Sequence, residues 1–259
     1  MKHEQLDNDH ARRFGGLDRL YGEGARMALH RSCVAVVGLG GVGSWAAEAL
    51  ARSGIGNITL IDFDHIVVSN VNRQIHALDS TLGMAKVKAL EARIQDINPD
   101  CKVTAVDDFL TDENMQKWVP VGVFDAVIDA CDSAPAKAAL ITHARQNEVW
   151  VVVCGATGGK SNPLKLRESD LGRTTHDSLL LRVRKLLRSV SHILPRKNGK
   201  YGVAAVYLDE PSKKNDACTA DDLNCSGYGS VVTVTASMGL AAAALCVDRI
   251  VKQPGNPDG

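Results

Sequence analysis

The chain has 259 residues, 45% of them apolar, and its 30 Lys and Arg balance its 30 Asp and Glu. This length holds one large α/β domain or two small ones, with a core that needs neither disulfides nor a structural metal. A net charge of zero excludes a global attraction to polyanions, although a neutral total can hide a basic face.

Strand-like runs at Cys33–Gly38, Ile58–Asp62, Lys102–Val106, Phe124–Ala130 and Val149–Gly155 alternate with helical patterns at Gly43–Ser53, Met84–Ile97, Asp112–Trp118 and Ala134–Gln146. The alternation predicts an α/β fold, a Rossmann-like, doubly wound, mainly parallel sheet with helices on both faces. Val34–Val37 and Val149–Val153 are unbroken apolar runs, as strands covered on both sides require. Past Gly158-Gly159 the character changes. Residues 160 to 200 hold eleven Lys or Arg against Glu168, Asp170 and Asp177, and Leu179–Arg188 repeats as an amphipathic helix with a cationic face. Tyr201–Leu208 reads as a strand and 211–230 as a long polar loop, of a length that is usually functional or mobile. Val231–Val234 reads as a strand, Ala236–Lys252 as a small-residue helix and 253–259 as a frayed tail. Val231–Val247 is interrupted by Thr233, Thr235 and Ser237 and falls short of the roughly 20 residues of a membrane span, so burial is expected and a membrane partner is not. The expected organisation is one domain over 1–259: a nucleotide-binding core over 10–157, a basic segment and crossover loop over 158–230, and a closing strand and helix over 231–252.

The seven cysteines include no C-x-x-C pair, which argues against a four-cysteine zinc site. Cys33, Cys101, Cys131 and Cys154 lie in or beside apolar runs, the pattern of a reducing cytosol. The polar start, Met1-Lys-His-Glu-Gln5, is followed by no apolar signal core, so the expected location is cytoplasmic.

Gly38, Gly40 and Gly43 follow the first strand with G-x-G-x-x-G spacing. Gly38 allows the tight turn, Gly40 and Gly41 let backbone approach a ligand, and Gly43 lets the helix pack on the strand. The helix N-terminus offers unpaired N–H groups to an anion. Asp62 ends the next strand nineteen residues past Gly43, where a carboxylate can accept from both ribose hydroxyls. A surface Asp at a strand end is the plain alternative. To this point NAD fits as well as ATP.

Ser69-Asn70-Val71-Asn72-Arg73-Gln74 moves the reading to ATP, because guanidinium and amide donors suit phosphate oxygens and an oxidoreductase has no need of them here. Lys86, near the start of the next helix, can reach a phosphate, although alone it would read as a solvated lysine. Asp129 and Asp132 flank the carboxyl end of another strand, where parallel sheets bind ligands. A carboxylate opposite polyphosphate suits Mg²⁺. Asp132 lies further past the strand end and is favoured over Asp129 for the metal; one of the two could instead cap the helix near Ala134.

Gly38-x-Gly-Gly-x-Gly43, Asp62-x-Asp64, Ser69–Gln74, Lys86 and Cys131-Asp132 together resemble the adenylating domain of the ubiquitin-activating superfamily. Its bacterial members include the activators of the sulphur carriers of molybdopterin and thiamin synthesis. The likeness covers about residues 10 to 157 firmly and the rest loosely. It implies a Rossmann-like fold, usually dimeric, that transfers AMP onto a carboxylate. Carried over, Gly41, Asp62, Asn70, Arg73, Lys86, Asp132 and Ser133 would contact ATP or its magnesium, within a site completed by Gly38, Gly40, Gly43, Asp64, Ser69, Asn72 and Gln74. The family also inserts an arginine from an N-terminal helix into the partner's site, and Arg13 matches that position. Arg73, Lys86, Arg13 and Asp132 would then carry the catalysis.

The missing C-x-x-C pairs depart from the sulphur-carrier activators. Arg-Phe-Gly-Gly at 13–16, Gly-Gly-Lys at 158–160, the basic helix and Asn-Cys-Ser-Gly-Tyr-Gly at 224–229 resemble instead a zinc-free branch that cyclises threonylcarbamoyladenosine beside the tRNA anticodon. That implies a tRNA partner, with no DNA, facing the cations Arg182, Arg184, Lys185 and Arg188; the plain alternative is a solvated amphipathic helix. In related activators a loop cysteine forms a thioester or persulfide, so Cys225 is a candidate reactive thiol and a sulphur-acceptor or desulfurase partner a further expectation. Ring closure within one substrate needs no protein nucleophile. Cys218 could pair with Cys225 on oxidation, and His176 reads as a surface residue. Three alternatives stand beside this reading. One is an activator of a ubiquitin-like or sulphur-carrier protein. Another is an NAD-linked oxidoreductase, disfavoured by Asn70–Arg73. The third is a silent binding module, which would lack Arg73 or Lys86.

Overall fold

Apolar β-branched runs separated by amphipathic helices assemble, in the computed structural model, into one seven-stranded sheet. The structure describes residues 9–213 and 228–252. In chain order its elements begin with α1 (9–14), α2 (Gly16–Tyr21), α3 (Ala25–Arg31), β1 (Cys33–Val37), α4 (Gly43–Arg52) and β2 (Asn57–Ile61). Then come α5 (Lys86–Ile97), β3 (Lys102–Val106), α6 (Met115–Trp118), β4 (Ala126–Asp129), α7 (Ala134–Gln146) and β5 (Val151–Cys154). The chain continues through β6 (Leu166–Asp170), α8 (Ser178–Ser189), β7 (Ala204–Leu208) and α9 (Val232–Val251).

The strand order is β3-β2-β1-β4-β5-β7-β6, all parallel except β6, which runs antiparallel to β7. Alternate residues of each strand feed opposite layers. Val34 and Val36 face a layer built with α3, α4, α5 and α9, whereas Ala35 and Val37 face one built with α6, α7 and α8. The chain order reverses between β1 and β4, and that switch point opens a crevice at the carboxyl ends of the strands. Val37 pairs with both Ile61 and Asp129, so the loops after β1, β2 and β4 leave the sheet side by side.

Four local expectations change. Val231–Val234, read as a strand, is helical from Val232. Both neighbours of β7 are already taken by β5 and β6, so burial of Val234, Met238 and Ala242 against α4 overrides β propensity. A Cβ on Gly239 would stand 2.3 Å from the Val42 carbonyl oxygen, which shows how closely α9 crosses α4. By length and composition α9 could cross a membrane, but 56% of its most apolar window is buried inside the protein. The helix placed at Met84 starts at Lys86, because Ala85 is extended and bridges His65. The helix placed at Asp112 is one turn, Met115–Trp118, after a turn in which Asn114 Oδ1 accepts from Thr111 N–H. Strand β6, Leu166-Arg-Glu-Ser-Asp170, carries no apolar alternation and escaped the sequence reading, because a strand at the sheet edge pairs only with β7. The tail 253–259 lies outside the described residues, as do 214–227 of the long loop.

Candidate functional site

The crevice is a cleft of about 1500 Å³ and collects nearly all the residues singled out in sequence. Gly38, Gly40, Gly41, Asp62, Asp64, Ser69, Asn70, Asn72, Arg73, Gln74, Lys86, Asp132 and Ser133 all line it. Gly43 lies beneath it. A Cβ there would meet the Gly38 carbonyl oxygen at 1.8 Å, so the α4 start must be glycine to sit on the β1 loop. Gly38, at φ +82°, would put a Cβ 2.7 Å from the Cys131 backbone, because the β1 and β4 loops touch at the switch point. Gly40 opens into the cleft, whereas a Cβ on Gly41 would press on Thr235 at 3.0 Å and Arg73 at 3.2 Å. Gly41 therefore serves the seating of Arg73 as well as backbone approach.

Asp62 is fixed by backbone donors, with Oδ2 accepting from Leu39 N–H at 2.5 Å and Oδ1 from Asp64 N–H at 2.8 Å. Each oxygen keeps accepting capacity for a hydroxyl. Burial raises its carboxyl pKa, an effect opposed by Lys86 and by these two N–H groups. The extended Ala85 places Lys86 on the Asp64 carbonyl through its N–H, at 3.0 Å, and its buried Nζ reaches Asp64 Oδ2 at 2.7 Å. Asn70 is buried and accepts from Val67 N–H at 3.2 Å, which closes the 3₁₀ turn carrying the Asn-x-Asn-Arg run. Trp45 Nε1 holds the Arg73 carbonyl at 3.0 Å, and the guanidinium donates to the Ser69 carbonyl at 2.7 Å and to Asn72 Oδ1 at 3.0 Å. Asn72 is in turn bonded to the Ser230 carbonyl at 2.9 Å. Gln74 Oε1 lies buried without a hydrogen-bond partner among the described residues.

Two assignments near β4 change. Ser133, not an aspartate, caps α7 by accepting from Ala136 N–H, and Asp132 is exposed at the cleft wall. Asp129 is fully buried, ion-paired through Oδ1 with the fully buried Lys137 at 2.9 Å, and does not line the cleft, so a metal on the nucleotide phosphates there is out of its reach, although its Oδ2 has no hydrogen-bond partner among the described residues. Lys137 also donates to the Asp129 carbonyl at 2.9 Å; no sequence signal pointed to it, because the partners are eight residues apart across a strand-to-helix turn. Burial and Asp129 push the Cys131 thiol well up, so it stays a thiol; its Sγ donates to Asp129 Oδ1 at 3.0 Å.

Sequence reasoning also missed Phe63 and Phe109, which both line the cleft, are exposed, and lie with ring centroids 4.7 Å apart at 36°. Phe63 follows Asp62 and Phe109 follows β3, so pairing of β2 with β3 brings together rings 46 positions apart.

The sequence profile of the ThiF family matches residues 15–258. The chain belongs to the ThiF family. It is 43% identical over 251 residues to the tRNA threonylcarbamoyladenosine dehydratase of Escherichia coli, with 92% of this chain and 93% of that protein covered. The Haemophilus influenzae protein of the same name is 38% identical, with 96% and 97% covered. A crystal structure of the E. coli dehydratase in complex with ATP superposes with a TM-score of 0.86 at 42% identity, covering 93% of this chain and 94% of that one. Its complex with AMP gives 0.87.

Outside the cleft, this ThiF-family chain places the remaining candidates unevenly. Arg13 does not line its own cleft; it is exposed and donates to the carbonyl of Ile97 at 3.1 Å, where α5 ends. Lys86 begins the same helix, so the two lie about 16 Å apart along it. On α8, Arg182, Lys185 and Arg188 are exposed at three-residue spacing, while Leu180, Val183 and Leu187 are buried. Arg184 departs from the expected cationic face. It turns inward to the Leu171 carbonyl at 3.0 Å and the Thr174 carbonyl at 3.1 Å. Lys160 is likewise interior, held by Asp177 at 3.3 Å and the Leu208 carbonyl at 3.1 Å. His176 is at the surface, 2.7 Å from Asp209. Cys218 and Cys225 lie outside the described residues.

Proposed function

We propose that this protein is a cytoplasmic, ATP-dependent dehydratase that cyclises threonylcarbamoyladenosine in tRNA through an acyl adenylate. One observation carries the reading. A glycine loop, Asp62, Arg73, Lys86 and Asp132 converge at one switch-point cleft, in a chain alike over nearly its whole length to a tRNA dehydratase solved with ATP. The order of these groups along the sheet sets the nucleotide's direction. Phosphates face Gly38–Gly41 at β1, the ribose faces Asp62 at β2, and the base lies against Phe63 and Phe109 at β3.

The carboxylate oxygen of the threonyl group attacks the α-phosphorus in line, and pyrophosphate leaves. The carbamoyl group then attacks the acyl carbon and AMP leaves, taking the carboxylate oxygen that the product lacks. The net change in the nucleoside is the loss of one water. Arg73 and Lys86 are placed to stabilise charge gathering on phosphate oxygens in the first step. Asp132 suits magnesium, which is held by one or two carboxylates plus substrate phosphates, and among the described residues no group of three or more ligands offers a closed metal cage. When bound, the ion would neutralise phosphate charge. Ring closure calls on no protein nucleophile, so Cys225 has no step to perform.

Incubating threonylcarbamoyladenosine-containing tRNA with ATP and the protein, then digesting to nucleosides for mass spectrometry, tests the reading. The expected product is lighter by one water. Pyrophosphate release with a small Gly-Gly-ended carrier protein, and none with the tRNA, would overturn it.

A homodimer fits two observations. Arg13 is a helix length from its own cleft, and an apolar groove runs between α2, α4 and α9, with Leu20 71% and Leu240 48% exposed. Arg13→Ala and Asp132→Ala should each lose adenylation alone and recover part of it when mixed, because one hybrid site is then intact. Mixed variants no more active than the separate ones would place Arg13 outside the partner's site.

The exposed stripe Arg182, Lys185 and Arg188 fits tRNA phosphates. Reversing all three to Glu should weaken tRNA binding and reduce the log–log salt slope by about 2 to 3, at roughly 0.7–0.9 per phosphate contact. Filter binding between low and high salt reads this directly; an unchanged slope would assign the stripe to solvation alone.

A further inference from the structure

We propose that the cleft is divided along the sheet, with the β4–β5 half seating the extruded purine of the tRNA on the ring of Tyr228. This rests on the reading of the protein as a tRNA dehydratase and names the seat of its acceptor.

Position comes first. A nucleotide laid over β1, β2 and β3 fills one half of the cleft. The other half is walled by Cys131–Ser133 after β4, by Gly155–Gly158 after β5, and by Leu179 and Tyr228. A cleft of about 1500 Å³ exceeds the roughly 300–1000 Å³ of a usual small-molecule site, so it has room for a second ligand beside ATP. The boundary between the halves runs at β1 and β4, beside Asp132, where an acyl group entering from the second half meets the α-phosphate.

The walls of this half are built for a flat ring. Tyr228 is 40% exposed and opens to the cleft, while its other side lies against the Gly158-Gly159 turn. A Cβ on Gly158 would stand 3.1 Å from Tyr228 Cβ, and one on Gly159 2.8 Å from its ring. Gly159 N–H donates to the Gly229 carbonyl at 2.8 Å, which pins the backbone next to Tyr228 on that turn. The two glycines thus leave space that the tyrosine ring occupies, and the ring presents an apolar π-face that any purine can stack on.

The third observation links this half to the cationic stripe. Leu179, in the first turn of α8, lines the cleft, and Arg182, Lys185 and Arg188 follow on the exposed side of the same helix. Over nine residues α8 rises about 13.5 Å. The cations wind about 60° round the helix at each step, so Arg182 and Lys185 are the ones nearest the side on which Leu179 meets the cleft, and a strand whose base turns in past Leu179 can lay its neighbouring phosphates on those two.

The test uses the full-length protein, ATP and tRNA carrying threonylcarbamoyladenosine. Tyr228→Ala should raise KM for the tRNA roughly tenfold, the weight of one lost stacking contact. Its ATP dissociation constant, measured by calorimetry without tRNA, should stay within twofold. Tyr228→Phe should restore the tRNA KM, because the ring and not the hydroxyl carries the contact. Gly158→Ala, which pushes on the ring from below, should reproduce the KM effect with no change at Tyr228 itself. An unchanged tRNA KM in Tyr228→Ala overturns the proposal, and so does an ATP affinity that falls in parallel. If the wild type forms no dehydrated nucleoside at all, the dehydratase reading falls and takes this seat with it.

Discussion

Arg73→Ala should lower adenylate formation by about 10²- to 10³-fold, or roughly 3 to 4 kcal/mol of transition-state stabilisation, with little loss of stability. The side chain's partners are the Ser69 carbonyl and Asn72 Oδ1, both on its own turn. The turn itself is held by main-chain contacts that alanine keeps, since Trp45 Nε1 and Thr235 Oγ1 bond the Arg73 carbonyl and not the guanidinium. Arg73→Lys should recover only a small part, because a lysine presents a point charge where a planar fork can span two phosphate oxygens. Single-turnover pyrophosphate release with saturating tRNA measures the effect, and the melting temperature serves as the control. A rate within threefold of wild type would remove Arg73 from the chemistry, whatever its place in the cleft.

How much of this was legible beforehand follows from sequence distance. The glycine loop, Asp62, the 69–74 run and Lys86 are short segments at the ends of elements, and the β-α alternation fixes those ends on one edge of the sheet. Their convergence on one cleft is therefore readable from the chain. Pairings across long separations are not. Phe63 and Phe109 meet only because β2 neighbours β3, and neither sits in a pattern that marks a ligand contact. Arg184 and Lys160 belong to a basic stretch and read as surface cations, yet backbone carbonyls at Leu171 and Leu208 draw them inside. Only the helical phase of Val183 and Leu187 hints that Arg184 borders the buried side of α8. The strand expected at Val231–Val234 failed for a related reason. Its β-branched residues favour a strand locally, but the sheet offers no open neighbour on β7, and α4 offers an apolar surface for a helix.

Removing the amine under the β4 loop should cost more stability than any surface change. Lys137→Met would leave the Asp129 carboxylate fully buried with its cation gone, a loss of about 3 to 5 kcal/mol. For a protein of this size that corresponds to a fall in Tm of roughly 5 to 10 °C. Replacing both partners, Lys137→Met with Asp129→Leu, should recover much of it, since a buried pair exchanged for apolar residues is often neutral. Recovery of stability without recovery of ATP binding would separate the two duties of the pair. Asp129 Oδ1 also accepts from Cys131 N–H at 3.2 Å, and so shapes the turn that carries Asp132 to the cleft wall. The pH dependence has a definite sign. Burial is the largest single effect and opposes the charge on Lys137, but the charge and hydrogen bond of Asp129, with the neighbouring Cys131 and Cys154 sulfurs, together outweigh it and lift the pKa from 10.5 to about 12. The folded state thus holds this proton more tightly than the unfolded chain. Its contribution to stability is complete below the unfolded value near 10.5 and drains away as pH rises toward about 12. Urea titrations of wild type and the Lys137→Met/Asp129→Leu variant across that interval should converge, since only the wild type has this charge to lose. Parallel curves would show that Lys137 is not the group responsible.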